Sequence, residues 1–182
     1  RRSTVSLCPA PRLKPASAVV QHTGSSVNPG RQKEPHAHSI NVDADGRFAY
    51  AADLGIDKVM VYKFDSGKGT LTPGEPPFAA VTPGSGPRHF TIHPSVGFAY
   101  VINEMTLTVT AFARDTANGG LKEIQTLSTL PPNVAAQSSF STAEVQVHPS
   151  GKFLYGANRG HDSIALFTID AKSGRLTFVE TV

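Results

Sequence analysis

The chain is written in short apolar runs bounded by Gly, Pro, Asn, Asp and Ser, a pattern that predicts strands joined by tight turns. The runs also repeat. Ser39-Ile40-Asn41-Val42-Asp43-Ala44-Asp45-Gly46-Arg47-Phe48-Ala49-Tyr50 aligns with Phe90-Thr91-Ile92-His93-Pro94-Ser95-Val96-Gly97-Phe98-Ala99-Tyr100 and with Val145-Gln146-Val147-His148-Pro149-Ser150-Gly151-Lys152-Phe153-Leu154-Tyr155. Past each tyrosine comes Asp53, Asn103 or Asn158, then a polar loop. A strand-like run follows, at Val59 to Asp65, Val109 to Asp115 and Ile164 to Asp170. A Gly-containing turn and a Leu-led run close each unit, at Gly69-Thr70-Leu71, Gly119-Gly120-Leu121 and Gly174-Arg175-Leu176. Each unit therefore reads as four antiparallel strands.

The N-terminal stretch enters the same frame late. Arg12-Leu13 through Val19-Val20 and Thr23-Gly24 match Thr70-Leu71 through Ala80-Val81 and Pro83-Gly84, as a last strand without its beginning. Thr4 to Leu7 is a candidate for the strand before it. Four-stranded units repeating at this length are the signature of a β-propeller, whose rings take about four to eight blades. The expected fold is all-β: a propeller fragment of about three and a half blades. Its divisions are residues 1–37 (the end of one blade and its linker), 38–86, 87–142 and 143–182.

Composition narrows the partners. Sixteen Gly and 14 Pro exclude a helical bundle. Seventeen Lys plus Arg against 14 Asp plus Glu, spread rather than clustered, leave no nucleic-acid footprint and leave anionic small molecules as candidate ligands. The single cysteine, Cys8, fits a reducing compartment, and no apolar run is long enough to span a membrane. The expectation is a cytoplasmic protein. Because the first residue is Arg1 rather than Met, the chain reads as a piece of a longer one, whose remainder has room for an export signal.

Topology then says where the chemistry gathers. In an up-and-down sheet the start of the first strand and the end of the second lie at the same end. The loops before the first strands are Pro35-His36-Ala37-His38, Gly86-Pro87-Arg88-His89 and Thr142-Ala143-Glu144. Those after the second strands are Asp53-Leu54-Gly55, Asn103-Glu104 and Asn158-Arg159-Gly160-His161-Asp162. These two sets hold most of the unusual His, Arg and Glu, which predicts a mixed-charge mouth on one face. The opposite ends carry plain turns, and His93 and His148, beside Pro94 and Pro149, read as repeat residues of those turns.

Individual residues carry two readings each. His36 and His38 stand two apart, which in a strand puts both rings on one face. No third ligand stands at convincing spacing, so acid/base work is favoured over zinc, against a loop-capping role. Arg88 and Arg159 present guanidinium forks suited to carboxylate or phosphate, or else form inter-blade salt bridges with Asp53, Glu104 or Glu144. Glu104 follows the apolar strand ending Ala99-Tyr100-Val101-Ile102-Asn103, so desolvation is expected to raise its pKa toward a catalytic value. Glu144 takes a similar place. There is no P-loop and no GxSxG elbow, and Cys8 lies away from any His.

From about Pro11 to Val182 the chain resembles the propeller-type 6-phosphogluconolactonase family of seven-bladed lactonases. The stretches that carry the resemblance are Glu34-Pro35-His36-Ala37-His38-Ser39, Gly86-Pro87-Arg88-His89-Phe90, Tyr100-Val101-Ile102-Asn103-Glu104, Ala143-Glu144 and Asn158-Arg159-Gly160-His161-Asp162-Ser163-Ile164. The resemblance implies hydrolysis of a sugar δ-lactone, 6-phosphoglucono-1,5-lactone first, with no metal or cofactor. The related fungal carboxymuconate cyclase uses a His, a Glu and two Arg. Carried onto this sequence, the catalytic set is His38 (or His36) and Glu104. Arg88 and Arg159, with His161, His89, Glu144 and Asn158 beside them, are expected to bind substrate. Two other readings stand beside it: a lactone-forming cycloisomerase acting on a carboxylated muconate, and a non-catalytic YVTN-type propeller, suggested by Ala99-Tyr100-Val101-Ile102-Asn103 and Leu154-Tyr155-Gly156-Ala157-Asn158. Alone, a piece missing its neighbouring blades is expected to be inactive.

Overall fold

The computed structural model describes residues 15–95 and 97–182. Each repeat folds into one antiparallel sheet. The first holds β1 (Ala37–Val42), β2 (Phe48–Asp53), β3 (Lys58–Asp65) and β4 (Thr70–Ala80). The second holds β5 (Pro87–Ile92), β6 (Phe98–Asn103), β7 (Thr108–Arg114) and β8 (Leu121–Ser128). The third holds β9 (Ser141–Val147), β10 (Phe153–Arg159), β11 (Ser163–Ile169) and β12 (Leu176–Thr181). Strand order follows chain order in every sheet.

The sheets stack face to face, and the residues say why. Strands covered on both faces need apolar side chains in unbroken runs rather than alternation. β2 is buried at every position, and β6 at every position after Phe98. Between the first and second sheets lie Phe48, Tyr50, Val59, Val61, Phe90, Val101 and Phe112. Between the second and third lie Tyr100, Ile102, Val109, Val145, Leu154 and Phe167. Burying each of the larger side chains contributes on the order of 1.5–3 kcal/mol. The outermost strands are exposed instead, and β4 there tolerates Pro73, Pro76 and Pro77 because it pairs on one side only.

The first strands β1, β5 and β9 pack closely on one another while β4 and β8 scarcely meet, so the sheets fan from an inner seam as propeller blades do. One contact recurs across both seams. The ring of Phe48 lies where a Cβ on Gly119 would stand, 2.5 Å away, and Phe98 lies 2.5 Å from that of Gly174. Only glycine in the turn between third and fourth strands lets the aromatic that opens a second strand seat itself on the next sheet. The turns repeat as well. Asp57, Leu107 and Asp162, each between a second and third strand, adopt φ of 53°, 54° and 51°.

The N-terminal region departs from expectation. Residues 15–34 carry no strand, whereas the sequence pattern over residues 1–37 predicts the end of a preceding blade and its linker. Strand geometry needs a neighbour to accept its hydrogen bonds, and this segment has none among the described residues. It packs on the first sheet through side chains, with Ser17 Oγ donating to the Gly69 carbonyl at 2.7 Å. His22 sits buried between Asp53 Oδ2 at 2.5 Å and the Tyr62 hydroxyl at 2.7 Å. Thr4 to Leu7 and Cys8 lie outside the described residues. Among the described residues no helix is long and apolar enough to cross a membrane.

Candidate functional site

The same irregularity marks the inner strand of every sheet. Ala37 pairs with Asp53 and Ser39 with Ala52, so His38 is an extra residue in β1; Pro87 pairs with Asn103 and His89 with Ile102, so Arg88 is the extra residue in β5. In the third sheet Ala143 and Glu144 stand between the pairs Thr142 with Asn158 and Val145 with Gly156. A bulge leaves a residue out of the ladder and re-aims its side chain, which is why such positions cluster beside functional sites. Here the three bulges fall at the three inner-strand starts, and they carry His38, Arg88 and Glu144.

Glu104 is the hub. Its backbone is clamped on both sides: its N–H donates to the Gly86 carbonyl at 2.8 Å, and its carbonyl accepts from Thr142 N–H at 3.2 Å, in the next sheet. Its side chain is 7% exposed and meets three guanidiniums. Arg88 Nε donates to Oε2 at 2.9 Å, Arg159 Nη2 lies 3.1 Å from the same oxygen, and Arg31 Nη2 donates to Oε1 at 2.6 Å. The Arg159 contact is the inter-blade ion pair that the sequence left open. Burial alone would raise the Glu104 pKa. Arg31, Arg159 and Arg88 outweigh it, and the net shift is downward. The expected rise toward a catalytic value is thereby corrected.

Arg88 extends the network. Its Nη1 donates to the Ala143 carbonyl at 2.8 Å and lies 3.2 Å from His89 Nε2. His89 Nδ1 lies 2.9 Å from Glu144 Oε2. With Arg88 able only to donate, Nε2 accepts and Nδ1–H donates, so the two partners set the tautomer of His89. Burial raises the Glu144 pKa, but His89, the Val145 N–H and Gln146 lower it by more. The His38 ring meets His89 edge-on at 5.2 Å between centroids. Although the residue is exposed, local desolvation first, then the Arg88 charge, lower the His38 pKa from the ordinary imidazole value, which favours the neutral ring. His38, His89, Phe90 and Glu144 line a cleft of about 330 Å³.

Three expected residues stand apart. His36 precedes β1 and is exposed. Its N–H donates to Asp53 Oδ1 at 2.7 Å, while its ring makes no hydrogen bond among the described residues. The extra residue at 38 breaks the two-residue alternation that was expected to align the rings. Asn158 is buried and spent on structure: its amide donates to the Thr129 carbonyl at 3.0 Å and contacts Ser163 Oγ at 3.2 Å, and its Oδ1 accepts from Thr129 Oγ1 at 2.6 Å. His161 pairs with Ser163 Oγ at 2.7 Å and packs edge-on against Phe140. His93, read as a turn residue, is buried with Nε2 at 2.9 Å from the Gly151 carbonyl.

Two features escape the sequence reading. Arg31 lies in an irregular loop that belongs to no repeat, so alignment of the repeats never reaches it; its position ahead of Pro35-His36 was the one available signal. The buried Asp53–His22–Tyr62 chain joins residues far apart in sequence. Asp53 Oδ1 also accepts from the Gly55 N–H at 3.0 Å, so this carboxylate ties the start of β1 to the end of β2. Among the described residues, no group of three His, Cys, Asp or Glu side chains is placed to hold a metal ion.

Comparison with known proteins accords with this architecture. The family model described as "Lactonase, 7-bladed beta-propeller" matches residues 3–182. The 6-phosphogluconolactonase of Bacillus subtilis is 40% identical over 161 residues, covering 88% of this chain and 44% of that protein. The 6-phosphogluconolactonase of Formosa agariphila is 32% identical, covering 92% and 47%. The solved structure of a periplasmic gluconolactonase from Pseudomonas aeruginosa superposes with a TM-score of 0.81 at 34% identity, over 91% of this chain and 46% of that one. The chain thus spans about half the length of the relatives it matches. Its three fanned four-stranded sheets are blades of a larger ring, and the chain belongs to the seven-bladed β-propeller lactonase family.

Proposed function

We propose that the protein hydrolyses an anionic sugar lactone, 6-phosphoglucono-1,5-lactone being the first candidate, with His38 as the base. The observation that carries this reading is geometric: His38 and Arg88 stand at the bulged inner-strand starts of neighbouring sheets, and Arg88 is joined through the Glu104 carboxylate to Arg159 and Arg31. His38 takes a proton from water as the water oxygen bonds to the lactone carbonyl carbon. Arg88, fixed by Glu104 and the Ala143 carbonyl, stabilises the negative charge that develops on the carbonyl oxygen. When the intermediate collapses, the ring C–O bond breaks and the leaving oxygen recovers the proton from His38. Glu104, held ionised by three cations, anchors them rather than abstracting a proton. Names of relatives support the same substrate class.

The test is acid release from 6-phosphoglucono-1,5-lactone by full-length protein, with His38→Asn alongside. General-base removal is expected to cost roughly 100-fold or more in kcat. Turnover of carboxymuconate in place of the sugar lactone, or undiminished hydrolysis by the variant, would reject the assignment.

A further inference from the structure

The hub residue Glu104 also borders a second cleft, of about 460 Å³, whose walls include Asn28, Arg31, Phe140 and Arg159 together with serines of the loop before β9 and the serine that opens that strand. Most of its polar side chains can donate hydrogen bonds. Arg31 and Arg159 are about half exposed and each places one nitrogen, Nη2, on Glu104, that of Arg159 also donating to the Thr142 carbonyl at 2.9 Å. A guanidinium carries five N–H donors, so most of theirs are unspent. The hydroxyls of Ser138, Ser139 and Ser141 make no hydrogen bond among the described residues. Glu104 is the one acid in the wall, and its carboxylate is already shared by three cations.

Arg31 is also held ready. Asn28 Oδ1 accepts from the N–H groups of Gly30 at 2.9 Å and Arg31 at 3.0 Å. Gln32, wholly buried, donates to the Leu54 carbonyl at 2.8 Å and accepts from Asn28 N–H at 3.0 Å. The turn that presents Arg31 is therefore built before any ligand arrives, which lowers the cost of binding. The His38 cleft differs in character: His38, His89, Asn41 and Gln146 line it with Glu144 but no Arg or Lys does, a poorer setting for a dianion.

We infer that the Arg31–Arg159 cleft is the phosphate subsite, taking the phosphate monoester of the substrate while the lactone carbonyl lies in the His38 cleft. The inference rests on the lactonase reading above and adds to it a division of labour and a residue, Arg31, that selects phosphorylated over unphosphorylated lactones. A phosphate monoester offers charge near −2 and three acceptor oxygens, matched by two guanidinium forks and the serine hydroxyls.

The test compares 6-phosphoglucono-1,5-lactone with glucono-1,5-lactone in the full-length protein and its Arg31→Ala and Arg31→Lys variants. For Arg31→Ala, the ratio of kcat/KM for the phosphorylated over the plain lactone is expected to fall roughly 10- to 100-fold, through KM, with Arg31→Lys between. Inorganic phosphate should inhibit the wild type competitively, and the variant more weakly by a similar factor. Equal losses on both lactones, or no loss on either, would overturn the subsite. If the wild type hydrolyses neither lactone, the lactonase reading falls by itself, and calorimetric titration with 6-phosphogluconate decides the cleft. Binding weakened at least tenfold by Arg31→Ala sustains it, and unchanged or absent binding refutes it.

Discussion

Glu104→Gln removes one charge and almost no volume, so it isolates what the hub contributes to stability. Three ion pairs go with that charge, and they are unequal. Arg88 is 15% exposed and donates along a well-formed hydrogen bond, an interaction worth about 1.5–3 kcal/mol. Arg31 and Arg159 are about half exposed, where solvent screening leaves each pair about 0–1 kcal/mol. Glutamine keeps one acceptor oxygen, and the pairs share atoms, so the sum is not additive. The expected loss is about 2–4 kcal/mol at neutral pH, read as a lower denaturant midpoint at unchanged slope in the full-length protein. The pH dependence is a second check. The folded pKa of Glu104 lies below its ordinary 4.5, so the carboxylate stabilises the fold above the unfolded value and loses that contribution as pH falls through the folded one. The gap between wild type and variant must therefore shrink below about pH 4.5. A gap under about 1 kcal/mol at pH 7, or one that stays constant into acid, would refute the account of Glu104 as an ionised anchor.

Other expectations follow from the same geometry. Because local desolvation and the Arg88 charge hold His38 down, the acid limb of kcat/KM should have an apparent pKa below 6.5, and Arg88→Gln should move it upward; a profile governed by a group above 6.5 would contradict this. Gly55→Ala would put a Cβ 2.0 Å from the Glu34 carbonyl oxygen and 2.7 Å from His36 N, both backbone atoms. It should cost about 3 kcal/mol or more and displace the strand start that carries His38, seen as coupled losses of denaturant midpoint and kcat. Phe112→Ala, in the seam between the first two sheets, should cost about 3–5 kcal/mol by denaturation while leaving the pH profile of any residual activity in place.

Much of this was legible because the chain repeats itself. Three copies of one pattern, each with an aromatic opening the second strand and a glycine in the later turn, determine four-stranded sheets and an inner-strand end where His38, Arg88, Glu104 and Arg159 must gather. Periodicity reports on burial, and burial in stacked sheets is what drives this architecture. Tertiary structure alone decided the rest. It put Arg31 on Glu104 from a loop outside any repeat, and so turned the Glu104 pKa down where the apolar strand before it suggested up. The bulge at His38 parted that ring from His36, and Asn158 went into the interior. Each of these depends on distances between residues remote in sequence or on one extra residue in a ladder. Local pattern cannot carry either, because electrostatic energy follows spatial separation and a side chain's direction follows strand register.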